Sequence, residues 1–196
     1  MRATIVYLHG LNSAPSSIKA RALGTAIAAL PAQRRPDYFV PQLHHRPAEA
    51  VRAVNAWLDA RNPAALAFVG SSLGGFYATH LAERRGARAI MINPSVRPFA
   101  DLEKYLGAQR NLYTGETYEL TRTHFDELRA LRVEKITRPE RYFLLAQSGD
   151  EVLDWRDAVT YYGRAWQFVY GGGDHAFQDF DTQIPAILRF ASAAPA

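Results

Sequence analysis

Apolar and polar positions follow two rhythms along this chain: short unbroken apolar runs, and longer stretches striped every three to four residues. The runs, at 3–8, 38–40, 65–69, 89–93, 142–147 and 166–170, predict six strands. Runs such as ATIVYL and ALAFV contain almost no polar interruption, the pattern of strands buried on both faces. Pro41 has no amide hydrogen to give to a ladder, so it ends the second run. The striped stretches, at 17–30, 48–61, 73–85, 99–106, 123–133, 154–162 and 178–191, predict helices. Pro185 predicts a kink in the last of them or a later start. Gly86 just beyond Arg84 and Arg85 reads as a helix end, and Asp154 as a helix cap. Strand and helix alternate, which implies an α/β fold: a mostly parallel six-stranded sheet with helices on both faces.

No repeat, low-complexity run or linker divides the chain, so the expectation is one domain over residues 1–196. The interval 94–139 breaks the alternation. It has no clear strand and two helical stretches, which predicts a helical insert before the fifth strand, lying over one end of the sheet as a candidate lid.

Composition narrows the chemistry. With no cysteine, disulfides, thiolate metal sites and a cysteine nucleophile are excluded. The apolar run after Met1 is too short for a signal-peptide core, and no run has the length of a membrane span, so a cytoplasmic protein without a membrane partner is expected. A net charge of +4 raises the question of nucleic acid. The basic residues are scattered, however, with adjacent pairs only at Arg34–Arg35 and Arg84–Arg85, which reads as a solvated arginine surface and not as a phosphate-binding stripe.

One junction carries a chemical signature. Where the third run meets the third helix the chain reads Gly70-Ser71-Ser72-Leu73-Gly74, a G-x-S-x-G string. Its context, buried strand into amphipathic helix, is the one in which a nucleophilic serine sits on a sharp turn, with glycines where side chains would collide. A serine hydroxyl needs a base, and the base an orienting carboxylate, in the chain order serine, acid, histidine. Asp150 follows the fifth run in SGDEVLDW, and His175 follows the sixth in GGGDHAF. Of the other histidines, His9 lies at the first strand's exit, His44 and His45 precede the serine, His80 lies on a helix stripe and His124 lies in the insert. Asp154 and Glu151 remain rivals to Asp150, and Asp174 is too close along the chain to His175 to bond its ring. The oxyanion formed on attack needs two donors: the Leu73 amide at the helix start, and Leu11 in the loop after the first strand. Tyr105, Tyr113 and Phe125 are candidates for pocket walls or for core packing. A metal site at His44, His45 and Asp174 has no recognised ligand spacing, and the chemistry calls for no metal and no organic cofactor.

The segments YLHGLNSAPSS, FVGSSLGGFYAT, INPSVRPF, YLG, YTGETYEL, SGDEVLD and GGGDHAF together resemble the YqiA/YcfP family of small α/β-hydrolase esterases, from Tyr7 to about Phe180. GSSLGG and HG are shared with many hydrolases, whereas NPSVRPF and YTGE are more particular to this family. Asp174 stands where some members carry asparagine. The resemblance implies the α/β-hydrolase fold, a Ser72–Asp150–His175 triad and hydrolysis of short-chain acyl esters, with acyl-CoA thioesters as the alternative small-molecule substrate. A non-catalytic binding protein on the same fold is the reading from another class.

Overall fold

The computed structural model describes residues 3–61 and 65–193. In chain order the elements are β1 (Thr4–Leu8), α1 (Ile18–Ala29), β2 (Asp37–Phe39), α2 (Pro47–Arg61), β3 (Leu66–Ser71), α3 (Leu73–Arg85) and β4 (Arg88–Ile92). They continue with α4 (Pro98–Asp101), β5 (Gly107–Arg110), β6 (Thr117–Leu120), α5 (Arg122–Ala130), β7 (Tyr142–Gln147), α6 (Trp155–Tyr161), β8 (Trp166–Tyr170) and α7 (Ile184–Ala191).

Six of the strands form one sheet in the order β2-β1-β3-β4-β7-β8, every neighbouring pair parallel. Side chains along these strands alternate between two apolar layers. Val6, Leu8, Phe68, Met91, Leu144 and Ala146 join Val54, Leu58, Tyr77, Leu81 and Phe125 on one face. Ile5, Tyr7, Val69, Ile90, Ile92 and Leu145 join Leu23, Ile27, Phe180 and Ile187 on the other. Both faces of the central strands are therefore dry, which explains their unbroken apolar sequences. The edge strand β8 is different, with Trp166, Phe168 and Val169 exposed.

The chain reverses direction across the sheet at β1: β2 lies on one side of it, β3 on the other. Connections leaving the two strand ends diverge at such a point and open a crevice at the carboxyl edge, where ligands of open α/β sheets bind.

Two expectations need correction. The 94–139 interval is not only helical: β5 and β6 pair as an antiparallel hairpin, with Gln109 opposite Tyr118 and Gly107 opposite Leu120. These strands lie one face on the protein and one in water, so GAQR and TYEL interleave polar residues and present no apolar run. The side-chain oxygen of Asn111 accepts from the amides of Tyr113 and Thr114, 2.9 and 3.0 Å away, which shapes the turn between them. The stretch at 99–106 is a single turn of α4 followed by a 3₁₀ turn at Glu103–Tyr105. Pro185 marks a late start: a 3₁₀ turn at Phe180–Gln183 precedes α7, and the proline sits in its first turn, where its missing N–H leaves no bond unmade. Asp154 caps α6 through the Arg156 amide, and Gly86 ends α3 at a φ of 62°.

Leu144 is fully buried between β4 and β8, while Leu112 at the hairpin turn is 84% exposed. Leu144→Ala should lower unfolding stability by about 3 kcal/mol through lost burial and the cavity it leaves, and Leu112→Ala by less than about 0.5 kcal/mol. Urea unfolding at equilibrium measures both.

Candidate active site

The site begins with backbone packing at the end of β3. A Cβ on Gly74 would overlap the carbonyl of Leu8 at the end of β1, and a Cβ on Gly70 would overlap the carbonyl of Gly74. One on Gly75 would lie 2.6 Å from Cβ of Pro94. Side chains at these positions would push the first turn of α3 away from β1 and from the loop after β4. Between the glycines, Ser72 has φ 56° and ψ −122°, a conformation rarely adopted by a residue with a side chain. It is held there by its amide to Ile92 O (3.0 Å) and by its carbonyl, which accepts from Gly75 (2.9 Å) and Ser95 (3.2 Å). Ser71 is buried as the last residue of β3.

Ser72 Oγ lies 3.0 Å from Nε2 of His175. On the other side of that ring, Nδ1 lies 3.0 and 2.9 Å from the two carboxylate oxygens of Asp150. The Asp150 side chain is 2% exposed and that of His175 22% exposed, so the carboxylate is shut from water and the imidazole is reached from one side. Oδ1 of Asp150 also accepts from the amides of Val152 and Leu153, both at 2.9 Å, fixing its orientation. Three residues separated by as many as 103 positions thus meet at the carboxyl edge of the sheet.

The rivals have other partners. Glu151 accepts the backbone amide of His175 at 3.0 Å, and Asp154 is the α6 cap. Asp174 turns its carboxylate to Nε2 of Gln178. His80 donates from Nδ1 to the Leu131 carbonyl at 2.8 Å. Nδ1 of His124 accepts from the Thr121 amide, so its Nε2 carries the proton and donates to Nδ1 of His45, 3.0 Å away. Among the described residues, no group of three or more His, Asp or Glu side chains is arranged to hold a metal ion.

His9 has a structural task that its position alone did not disclose. Its Nε2 accepts from the Leu43 amide at 3.2 Å, so Nδ1 carries the hydrogen and donates to the Gly10 carbonyl at 3.0 Å. Burial pushes the imidazole below its ordinary pKa and favours this neutral form, against a smaller opposing effect of the Gly10 carbonyl. Carbonyl and amide of one trans peptide point in opposite directions, so the bond that holds Gly10 O also aims the Leu11 N–H. Gly10 packs against Ser72: a Cβ on it would be 3.2 Å from Cβ of that residue. Leu11 and Leu73 line one cleft together with Leu43, His44, His45, Tyr77 and Tyr118. Its enclosed volume is about 30 Å³. None of Tyr105, Tyr113 and Phe125 lines it: Phe125 is packed in the core and the two tyrosines are partly exposed.

Two further residues escaped the sequence reading, Asn93 and Gln147. Asn93 is buried with φ 39°; its amide nitrogen donates to the carbonyls of Asp174 (2.9 Å) and His175 (3.3 Å), and its oxygen accepts from the Gln147 amide (2.9 Å). The Gln147 side chain accepts from the amides of Asp174 and Gln178 and donates to the Gln178 carbonyl. Together they pin the loop that carries His175 to the ends of β4 and β7. The only hint in the sequence is a polar residue at the end of each of two apolar strands.

Solved structures share this architecture. A protein from Agrobacterium vitis S4 named as a hydrolase superposes with a TM-score of 0.78 at 21% identity, covering 97% of this chain and 88% of that one. Est1E from Butyrivibrio proteoclasticus, solved with ferulic acid bound, gives 0.71 at 11% identity, covering 96% and 87%. A monoacylglycerol lipase from Paleococcus ferrophilus gives 0.68 at 13% identity, covering 96% and 93%. The fold is that of the α/β-hydrolases. The model of the uncharacterised protein family UPF0227 matches residues 4–192, and the chain belongs to that family, the YqiA/YcfP family.

Proposed function

We propose that this protein is a serine esterase acting on short-chain acyl esters through an acyl-serine intermediate. One observation carries the reading: a serine hydroxyl on a strained strand-to-helix turn lies 3.0 Å from an imidazole whose other nitrogen lies 2.9 Å from a buried carboxylate. That series solves the problem of a weak nucleophile near neutral pH. As Ser72 Oγ bonds to the ester carbonyl carbon, its proton passes to Nε2 of His175, and Asp150 stabilises the imidazolium through Nδ1–H. The carbonyl oxygen becomes an oxyanion facing the amides of Leu11 and Leu73, with the N-terminal end of α3 adding favourable potential. Collapse breaks the bond to the alcohol, which leaves with the His175 proton. Water, giving a proton to the same nitrogen, then attacks the acyl-serine; the carboxylic acid departs and Ser72 regains its hydrogen.

The small cleft lined by Leu11 and Leu73 supports a short acyl group, and the names of an esterase domain from Rhodothermus marinus and of the monoacylglycerol lipase support the reaction class on this fold. With p-nitrophenyl esters, kcat/KM for acetate and butyrate should exceed that for octanoate at least about tenfold, since forcing a chain longer than the cleft against its walls costs about 1–3 kcal/mol. A parallel series of acyl-CoAs measures thioester hydrolysis directly.

A fluorophosphonate probe should label the protein at Ser72, located by mass spectrometry, and the label should vanish in Ser72→Ala and His175→Ala. Asp150→Asn should keep the fold and lower kcat by about 10⁴-fold, as expected when the imidazole is held in the wrong tautomer. Absence of labelling in a folded wild-type protein would favour the binding-protein reading instead.

Asn93→Ala and Gln147→Ala release the His175 loop without touching substrate. Each should lower kcat by about 10- to 100-fold with little change in KM, because an ångström of misplacement of the base is enough. Steady-state kinetics with p-nitrophenyl acetate separates the two parameters.

A further inference from the structure

The β5–β6 hairpin, with Asn111 beyond β5, is bonded to residues 12 and 13 directly after the Leu11 donor. Four hydrogen bonds join them. The Asn12 side chain donates from Nδ2 to Oε1 of Gln109 on β5 at 3.0 Å and accepts at Oδ1 from the Tyr118 hydroxyl on β6 at 2.8 Å. The Asn12 carbonyl accepts from the Leu112 amide at 3.3 Å, and Nδ2 of Asn111 donates to the Ser13 carbonyl at 2.8 Å. Gln109 and Tyr118 face each other across the hairpin ladder, so Asn12 is gripped by a cross-strand pair. Asn12 itself has a φ of 54°, a left-handed conformation that asparagine tolerates better than most residues and that surrounding bonds must maintain.

We infer that the hairpin is a clamp for the oxyanion loop, and that Asn12 and Tyr118 are positioning residues which hold the Leu11 amide where the transition-state oxygen develops. This rests on the esterase reading and adds to it a task for the insert. The loop from His9 to Ser13 is fastened at both ends. On the near side His9 sets the plane of the Gly10–Leu11 peptide; on the far side the hairpin holds Asn12 and Ser13. Leu11 lies between, with its donor fixed before substrate arrives. Such preorganisation is what gives an oxyanion donor its effect, since no reorientation is left for the reaction to supply. The clamp acts on the transition state, because a ground-state ester carbonyl gains less from the same amide than the oxyanion does.

The test uses Tyr118→Phe, which removes one hydroxyl and keeps the ring, and Asn12→Gly, which removes both side-chain bonds while tolerating the positive φ. With p-nitrophenyl acetate, each should lower kcat by about 10- to 100-fold, short of the 10²–10³-fold lost when an oxyanion donor is deleted, and leave KM within about twofold. The double variant should be no slower than Asn12→Gly alone, because the two changes cut the same tether. Inhibition by a trifluoromethyl ketone, whose adduct carries the oxyanion, should weaken by the same factor as kcat/KM. Glu119→Gln, on the same strand outside the tether, should match the wild type. A raised KM with unchanged kcat would make the hairpin a pocket wall and overturn the clamp, as would additive losses in the double variant or full activity in both single ones. If the wild type hydrolyses no ester and Ser72 takes no probe, the esterase reading fails and the clamp with it. An active, Ser72-labelled wild type beside fully active variants overturns the clamp alone.

Discussion

Two backbones meet without room for a side chain: α3 begins so near the end of β1 that Gly74 has no space for a β-carbon beside the Leu8 carbonyl. Everything at the site depends on that contact. It brings the loop after β1 against the turn after β3, so that Gly10 lies against Ser72, and Leu11 and Leu73 line one cleft. A methyl group at Gly74 would push α3 off the end of β1 and part Ser72 from the loop after β1, whatever happened to the imidazole. The reversal of strand order at β1 makes such proximity available; the glycines make it close enough to use.

The strain at Ser72 is maintained by its neighbours. Its amide and carbonyl are both satisfied, by Ile92, Gly75 and Ser95, so relaxing the turn would leave backbone groups unpaired in a buried place. The same device recurs around the site. Asn12 and Asn93 also have positive φ, and each spends its side chain on neighbouring loops: Asn12 on the hairpin, Asn93 on the loop of His175. Asparagine suits both places, since it accepts the left-handed region and offers a donor and an acceptor at once. Ser72, Asp150 and His175 lie on turns and loops past strand ends, and amide side chains at the ends of β4 and β7 tie down the loop of His175.

Much of this was legible in the sequence, and the failures have a common cause. Four of the six sheet strands, β1, β3, β4 and β7, could be read because burial on both faces leaves them mostly apolar. Ser72, Asp150 and His175 could be read because the α/β order puts each just past a strand end, and their side chains do converge. The β5–β6 hairpin was missed because a strand with one wet face and a glycine start has no apolar run. Asn93, Gln147 and Asn12 were missed because what matters in them is a hydrogen bond to a segment distant in sequence, and one chain contains no sign of that distance. The cleft walls were misplaced for the same reason: His44, His45 and Tyr118 come from segments whose meeting is a property of the tertiary fold.

The loop of His175 follows β8, and β8 is laddered only to β7, at the margin of the sheet, with much of its surface in contact with solvent. During biosynthesis Ser72 therefore emerges from the ribosome about a hundred residues before His175, and their side chains cannot meet until the last strand of the sheet has docked. The converse holds on denaturation. Fraying of a marginal strand requires less free energy than melting the centre of the sheet, so mild denaturant should part His175 from Ser72 while most of the ellipticity is still intact.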